Sequence, residues 1–375
     1  MRISEVRVFR ALGELQNLDD RFECRHEFFA DADRERPHEA FFTEIVSEDG
    51  LVGFSLGGSR AIADLGRLII GEDPRDIELI WEKLANSQYA RYTNIHAMGV
   101  LDLALWDLNG KIRNEPVYRL LGGAVRTRIP AYAAMLGFST KPELAAQRSA
   151  EMVAKGFDAV KWYVDANESS GRRGYTNIIA LAASIREAVG PDIKIMLDFA
   201  NADPTKNSVL YIAKIAQTLE KFNISWLEEP LHFDDLDAYK RLAALTRIPL
   251  ACGEHVYTRW QIKRMLEDGS VQVFQPDMYF AAGLTEIRKM FNLISSFGAT
   301  IIPHANESCI PTAHLAFTLP QRYCPMLEYG IKLNRRFQYF YEQPYVPNNG
   351  WFELPSGPGF GYRLDSTKIL SKEYI

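Results

Sequence analysis

The sequence predicts an α/β protein built around a (β/α)7β barrel, a modified TIM barrel, because short apolar runs alternate with amphipathic stretches from about residue 126 onward. The first third of the chain lacks this alternation, which predicts a separate α+β region over residues 1–123. Polar or ionisable residues also follow the apolar runs, as expected where barrel strands end at one face. These three observations define the fold class.

In residues 1–123, strand-like runs precede helix-like ones. An antiparallel meander is predicted from three strand-like runs: ISEVRVFRA, EAFFTEIVSED and, after Gly50, LVGFS. A polar loop joins the first two strands. RDIELIWEKLANSQ and AMGVLDLALWDLNGKIRN then repeat apolar residues at helical spacing. This order predicts an α+β domain.

The barrel is predicted over residues 124–330, with eight strands and seven interposed helices. The strand candidates are IPAYAAM, AVKWYVD, IKIMLDFA, ISWLEEP, PLACGEH, VQVFQPDM, TIIPHA and PMLEYG. Residues 331–375 are rich in aromatics, Pro and Gly and show little helical periodicity. This tail is too apolar for a disordered linker, so we expect it to pack back on the first domain.

Composition narrows the class of partner. The formal net charge of −5 provides no general attraction for nucleic acid, so a small-molecule substrate is the expected partner. The N-terminus lacks the apolar core of a signal peptide, and no apolar run approaches the roughly 18 residues of a membrane span. We therefore expect a cytoplasmic protein without a membrane partner.

Three acidic residues end three successive strand candidates: Asp198, Glu228 and Glu254. Their separations are close to one βαβ unit of roughly 30 residues, so the three side chains should converge at the carboxyl end of the barrel. Carboxylates about 4 Å apart repel one another by several kcal/mol at an effective dielectric near 20. A hard divalent cation removes that repulsion, which predicts a Mg²⁺ site.

Lys161 and Tyr163 lie two residues apart on the second barrel strand and so share one of its faces. A cation beside a phenol favours the phenolate, which predicts an acid-base role for Tyr163. The alternative interpretation makes Tyr163 an interior aromatic and Lys161 a charge partner in the barrel wall.

Asp277 and His304 end adjacent strand candidates. A carboxylate bonded to one ring nitrogen orients an imidazole and raises its basicity, so this pair is a candidate acid-base dyad. Structural roles are instead expected for His26, His96 and His314. Glu328 ends the last strand, where it could bind substrate, position His304, or serve as a salt-bridge partner in the barrel mouth.

With these residues, the chain resembles the enolase superfamily and, within it, the mandelate racemase group. The segments that carry the resemblance are the opening strand, GVLDLALWDLNGK (99–111), PVYRLLGG (116–123), LDFAN (197–201), WLEEP (226–230), GEH (253–255), QPDM (275–278), PHA (303–305) and PSGPGFG (355–361). The resemblance implies a capping domain formed by both chain ends, and commonly a homo-oligomer. It selects Glu228 over Glu229 as the metal ligand. It also implies proton removal alpha to a carboxylate, with the resulting enediolate stabilised by metal.

The sequence departs from a common pattern of this group at the second strand. Many members carry Lys-x-Lys there, whereas this chain has Lys161-Trp162-Tyr163, which disfavours a two-base racemase. Lys-x-Tyr is similar to the pattern of acid-sugar dehydratases of a galactarate dehydratase type, in which a capping-loop histidine assists. His38, near the end of the loop between the first two strands, is the candidate for that residue, and His26 is the weaker one. An exposed loop histidine is the alternative.

The leading hypothesis is therefore a Mg²⁺-dependent dehydratase of an aldonic or aldaric acid. Tyr163 and His304 would divide the base and acid roles, and the residues do not decide which is the base. An epimerase or lactone cycloisomerase that uses the same enediolate is one alternative. A catalytically silent ligand-binding member of the family is another, because the second strand has departed from the common motif.

Overall fold

The structure is a computed structural model that describes residues 1–16, 22–23, 36–88, 94–305 and 309–375. It contains an antiparallel sheet of four strands and a larger, mainly parallel sheet. Within the described part of the chain, none of the helices has the length and apolar character that a membrane crossing requires.

The antiparallel sheet is formed by the N-terminal region and the last strand of the chain. Its elements and those that pack on it are β1 (Ile3–Leu15), β2 (Pro37–Ser47), β3 (Val52–Leu56), α1 (Arg60–Gly66), α2 (Ile77–Gln88), α3 (Ile95–Arg113) and α4 (Val117–Leu120). Helix α3 is buried along most of its length and approaches β3 closely. A Cβ atom at Gly53 would lie 2.2 Å from the Ala104 carbonyl oxygen, so only glycine permits this approach.

The larger sheet follows the predicted alternation of strand and helix. Its elements are β4 (Arg128–Ala134), α5 (Pro142–Ala154), β5 (Ala159–Tyr163), α6 (Gly171–Val189), β6 (Lys194–Asp198), α7 (Val209–Leu219), β7 (Ile224–Glu228), α8 (Leu236–Ala243), β8 (Leu250–Cys252), α9 (Arg259–Asp268), β9 (Val273–Phe274), α10 (Gly283–Ser296), β10 (Thr300–Ile301), α11 (Cys309–Ala316) and β11 (Leu327–Gly330). Eight parallel strands with seven interposed helices confirm the predicted fold class.

The register of this sheet aligns the strand ends. Tyr163 pairs with Asp198, and Asp198 pairs with Glu228, so the last residues of β5, β6 and β7 lie side by side. The strands follow the order β10-β9-β8-β7-β6-β5-β4-β11. Beyond the strand ladder, the Ile301 amide donates to the Tyr323 carbonyl at 2.7 Å, which links β10 to the chain just before β11.

The C-terminal segment contains α12 (Leu333–Phe337), β12 (Trp351–Glu353) and β13 (Ser371–Tyr374). Strand β12 pairs antiparallel with β4 of the barrel, and β13 pairs antiparallel with β1 of the N-terminal sheet. The segment therefore contacts both sheets. The predicted domain boundaries stay a prediction.

Short 3₁₀ helices complete the secondary structure: Arg67–Ile69, Glu168–Ser170, Ala200–Ala202, Pro204–Lys206, Glu220–Phe222 and Ser366–Lys368. Two of them follow β6 directly and carry the chain away from the barrel end towards α7.

Candidate active site

Lys161 lies at the centre of the charged groups at the barrel's carboxyl end. Its Nζ is 2.5 Å from Glu228 Oε1, 2.9 Å from Glu328 Oε1 and 3.1 Å from Asp198 Oδ2. All four side chains are buried. Burial lowers the pKa of Lys161, but Glu228 and Glu328 outweigh it and raise that pKa well above its ordinary value. Lys161 is therefore a buried cation, as the charge-partner interpretation describes.

The second oxygen atoms of two of these carboxylates accept backbone hydrogen bonds. Asp198 Oδ1 accepts from the Ala200 amide at 2.9 Å, and Glu328 Oε2 accepts from the Ala305 amide at 2.9 Å. Burial raises the pKa of Glu328, but the Lys161 and His304 charges more than offset this, and the pKa is lowered. Each carboxylate is thus held between one backbone donor and the shared ammonium group.

Glu228 is held by two side chains to which the sequence analysis gave no role. Its Oε2 accepts from Trp226 Nε1 at 3.0 Å and from Gln275 Nε2 at 2.7 Å. Both donors lie in segments that carry the family resemblance, WLEEP and QPDM. Membership of those segments was the available signal, but a contact across the barrel could not be predicted from it.

Asp277 and His304 are in contact. His304 Nδ1 is 2.6 Å from Asp277 Oδ2, while Asp277 Oδ1 accepts from the amides of Tyr279 at 2.6 Å and Phe280 at 3.0 Å. Because the carboxylate accepts, Nδ1 carries the proton. The other ring nitrogen, Nε2, lies 3.1 Å from Glu254 Oε2. The geometry leaves Nε2 as the nitrogen for proton transfer, and the catalytic role itself stays a prediction.

The charges of His304 and Glu254 depend on each other. Burial lowers the pKa of His304, but Glu254, Glu328 and Asp277 together raise it well above its ordinary value. Burial raises the pKa of Glu254 to about 7, with Glu229 adding to the increase and His304 opposing it. In this arrangement the imidazole is held as a cation beside Glu254.

Glu229 also faces this end of the barrel, although it directly follows Glu228 in the chain. It follows the end of β7 with a positive φ of 40°, so the strict alternation of side chains no longer applies to it. Its carboxylate lies 2.7 Å from His255 Nδ1 and accepts from the Gly253 amide at 3.3 Å. Among the described residues, Glu229, Glu254 and His255 offer ligand atoms within 4.8 Å of one another. This group shares only Glu254 with the predicted metal ligands.

Tyr163 is buried with its ring 5.1 Å from Lys161 Nζ. Burial raises the pKa of Tyr163 first, Lys161 lowers it, and Glu328 raises it again, so that the pKa lies well above its ordinary value. Lys161 acts on the phenol in the expected direction, but burial and the neighbouring carboxylates outweigh one cation, so the phenolate is not favoured in this arrangement.

The histidines outside the dyad fall into different settings. His38 lies in β2 rather than in the loop, is buried, and stacks on Tyr339 with ring centroids 3.6 Å apart. Its placement in a loop is thus wrong, because pairing with β1 begins one residue earlier, at Pro37. His26 lies outside the described residues. His314 is buried, accepts from the Tyr118 amide at 3.1 Å, and has its pKa lowered by burial to about 3.

The predicted metal ligands fit a hard divalent cation by their chemistry. Burial and then Glu228 raise the pKa of Asp198 well above its ordinary value, with Glu254 adding to the increase. The negative charges of neighbouring buried carboxylates repel one another, and a bound cation would relieve this repulsion. The side chain of Glu254 is 12% exposed, against 1% for Asp198 and 2% for Glu228. Glu254 is therefore the ligand nearest to solvent.

Comparison with known proteins identifies relatives over most of the chain. Residues 144–368 match the family described as Enolase C-terminal domain-like, and residues 38–122 match the Mandelate racemase / muconate lactonizing enzyme, N-terminal domain. Arabinonate dehydratase of Saccharolobus solfataricus is 30% identical over 88% of this chain and 89% of its own length. D-galactonate dehydratase of Cronobacter sakazakii is 29% identical over 90% and 91%.

A solved structure agrees with these matches. The rhamnonate dehydratase of Gibberella zeae, complexed with Mg, superposes with a TM-score of 0.82 and 27% identity over 98% of this chain and 95% of that protein.

Proposed function

Because these matches show that the chain belongs to the enolase superfamily, in the mandelate racemase and muconate lactonizing enzyme group, we propose that it is a Mg²⁺-dependent dehydratase of a polyhydroxy acid of the aldonic or aldaric type. The observation that carries the proposal is the meeting of the His304–Asp277 pair, buried Tyr163 and a set of carboxylates at one end of the barrel. The relatives named above support the hydro-lyase class, and all three act on aldonates by name.

We assign the metal to Asp198, Glu228 and Glu254. When bound, Mg²⁺ supplies positive charge that stabilises the negative charge developing on the substrate carboxylate. Glu229 and His255 form the competing set with Glu254. Asp198→Asn and His255→Asn distinguish the two sets, because Mg²⁺ affinity should fall strongly with the first change only.

His304 is assigned as the base that removes the alpha proton, in the state in which Glu254 would be bound to the metal and would no longer hold the imidazole as a cation. Asp277 holds its Nδ1 proton and is itself held by two backbone amides, so the ring is fixed with Nε2 directed away from the pair. Fixing a base in this way contributes to the rate because no reorientation is needed during proton transfer.

Tyr163 is assigned as the acid. Burial keeps its phenol protonated, and a phenol that retains its proton can donate it to a leaving hydroxyl group. Lys161 lies between Asp198, Glu228 and Glu328 and forms ion pairs with all three. Neither Lys161 nor Glu328 needs to exchange a proton in this assignment.

The reaction balances without a further co-reactant. The base takes the proton from the alpha carbon, the electron pair of that C–H bond forms the double bond between the alpha and beta carbons, and the beta C–O bond breaks. The departing hydroxyl takes one proton and leaves as water. The resulting enol takes up a proton at carbon, loses its hydroxyl proton and becomes a 2-keto-3-deoxy acid.

The test is a screen of the purified protein with Mg²⁺ against a library of aldonates and aldarates, with detection of keto acid. We expect turnover of at least one member and its loss in Tyr163→Phe. Tyr175→Phe is the matched control, because Tyr175 lies on helix α6, where its hydroxyl contacts Thr218. Absence of keto acid from every member would rule out the dehydratase.

The same screen in deuterated water separates the alternatives. Deuterium at the alpha carbon without loss of water would identify an epimerase, and product isomeric with a lactone substrate would identify a cycloisomerase. Binding of an acid without any exchange would identify a silent binding protein.

A further inference from the structure

We propose that Gln275 and Trp226 are positioning residues that reserve one oxygen of Glu228, Oε1, for Mg²⁺, and that Lys161 shares this oxygen and thereby limits Mg²⁺ affinity. The inference rests on the proposed ligand set and extends it from residues to a particular atom. It predicts that Mg²⁺ affinity falls when a donor to Oε2 is replaced and rises when the cation on Oε1 is replaced.

Two hydrogen bonds occupy one oxygen of Glu228, Oε2. Trp226 Nε1 and Gln275 Nε2 both donate to it, at 3.0 and 2.7 Å, and both side chains are buried. A carboxylate oxygen has two lone pairs, and here two N–H groups occupy them. The outward face of the carboxylate is therefore Oε1.

The Gln275 amide has a single orientation that suits Glu228. Its side chain is buried, and within the described part of the chain its Oε1 accepts no hydrogen bond. Rotating the amide would bring this oxygen against the carboxylate, so only the amino group can face Glu228. The Gln275 amino group is thereby committed to Glu228 Oε2.

Lys161 lies beside the other oxygen of the same carboxylate. Its Nζ lies 2.5 Å from Glu228 Oε1, the oxygen that Gln275 and Trp226 leave available. An ammonium ion and Mg²⁺ on one oxygen repel each other, and burial strengthens that repulsion. Lys161 also lies 3.1 Å from Asp198 Oδ2, so it contacts two of the three proposed ligands. Removing its charge should therefore favour the metal.

The test is isothermal titration of the whole protein with MgCl₂. We expect Gln275→Leu and Trp226→Phe each to weaken Mg²⁺ binding about tenfold, the lower end of the range for groups that orient a metal ligand. We expect Lys161→Met to tighten it by about tenfold, because one buried positive charge is lost. Gln147→Leu on α5 and Trp260→Phe on α9 are the matched controls, since both side chains are exposed, and they should bind as the wild type does.

The outcomes separate this inference from the proposed function. Wild-type protein without Mg²⁺ affinity would refute the ligand set and the proposed function together. If wild-type binds and Glu228→Gln does not, but Gln275→Leu and Trp226→Phe bind within twofold of wild-type, the positioning role is wrong. Weaker binding by Lys161→Met would refute the sharing of Oε1. Trp226→Phe keeps the packed ring and removes one donor, so it decides the question if Gln275→Leu does not fold.

Discussion

The barrel mouth and the junction between the two sheets both bury carboxylates, but they neutralise them in different ways. At the mouth, which we define by Lys161 and its three partners, a single ammonium group is shared among Asp198, Glu228 and Glu328. At the junction, which we define by Asp102 and Asp107 on helix α3, the carboxylates bind mainly backbone amides and a hydroxyl group.

Asp107 shows how the junction works. Its Oδ2 accepts from the Phe54 amide of β3 at 2.8 Å and its Oδ1 accepts from the Phe360 amide of the C-terminal segment at 2.7 Å. Lys111 lies 2.7 Å away on the same helix. One side chain therefore joins three parts of the chain through directed hydrogen bonds.

The two regions differ in whether another ligand can replace the partners of their carboxylates. Backbone amides at the junction cannot exchange for another ligand without unfolding, so that arrangement is suited to fixing segments. The ammonium group at the mouth is held by ion pairs with side-chain carboxylates, and another cation can share those carboxylates. Buried carboxylates therefore join segments of the chain at the junction, and at the mouth they form the site to which we assign the proposed function.

The largest effect is expected for His304→Asn. Loss of a positioned base typically lowers turnover by about 10² to 10⁴-fold, so keto-acid formation should fall by that factor while Mg²⁺ binding persists. Asp102→Asn, a carboxyl change at the junction, should leave turnover unchanged. Equal losses in the two variants, measured by steady-state kinetics, would erase the distinction between mouth and junction.

Lys161→Met should cause the next largest effect. Removing one partner of a buried charge group leaves three carboxylates uncompensated, and such changes lower the free energy of unfolding by about 3–5 kcal/mol. Urea denaturation without Mg²⁺ measures this change in the free energy of unfolding. Lys263→Met, which removes an exposed ion pair with Glu267, should cost less than about 1 kcal/mol. A Lys161 variant as stable as the Lys263 variant would contradict the shared-cation description.

The junction should respond to pH through Asp102. Burial raises the pKa of Asp102 to about 7, although its hydrogen bonds from Thr285 oppose the increase. Between about pH 4 and pH 7 the folded chain holds a proton that the unfolded chain has released. Raising the pH across this window should therefore lower the free energy of unfolding, by about 4 kcal/mol at most.

Asp102→Asn removes that titration. Its amide oxygen can accept from the Thr285 amide, and its amino group can donate to the Thr285 hydroxyl, so the contacts of the neutral state are retained. Urea denaturation of both proteins at several pH values should show a shallower decline for the variant. Identical slopes of the free energy of unfolding against pH in the two proteins would exclude Asp102 as the source of the pH dependence.

The smallest effect is expected at the surface of the junction. Glu78 on α2 pairs with Arg288 at 2.6 Å and with Lys289 at 2.7 Å on α10, and all three side chains are partly exposed. Exposed pairs contribute about 0–1 kcal/mol, so Glu78→Gln should shift thermal unfolding only slightly. A loss comparable to that of Lys161→Met would show that the junction depends on charge after all.

Much of the fold could be predicted because the relevant signals are local. Apolar residues recur every few positions in a helix and every second position in a half-buried strand, and the barrel is a repetition of these patterns. The strand-end positions of Asp198 and Glu228 follow from the same alternation, whereas β10 ends at Ile301, three residues before His304. The direction of the Glu229 side chain could not be predicted, because a positive φ ends the alternation immediately after β7 and no local sequence signal indicates it.

The sequence by itself determined the barrel, its α+β neighbour and the family, together with the candidate residues at the strand ends. Only the tertiary structure decided which atoms meet: Lys161 with Glu228, 67 residues apart, and Gln275 with Glu228, 47 residues apart. Periodicity acts over a few residues, whereas these contacts depend on how the sheet curves and brings distant strands together. For the same reason, the direction of the Tyr163 pKa shift followed from burial, which no spacing in the sequence specifies.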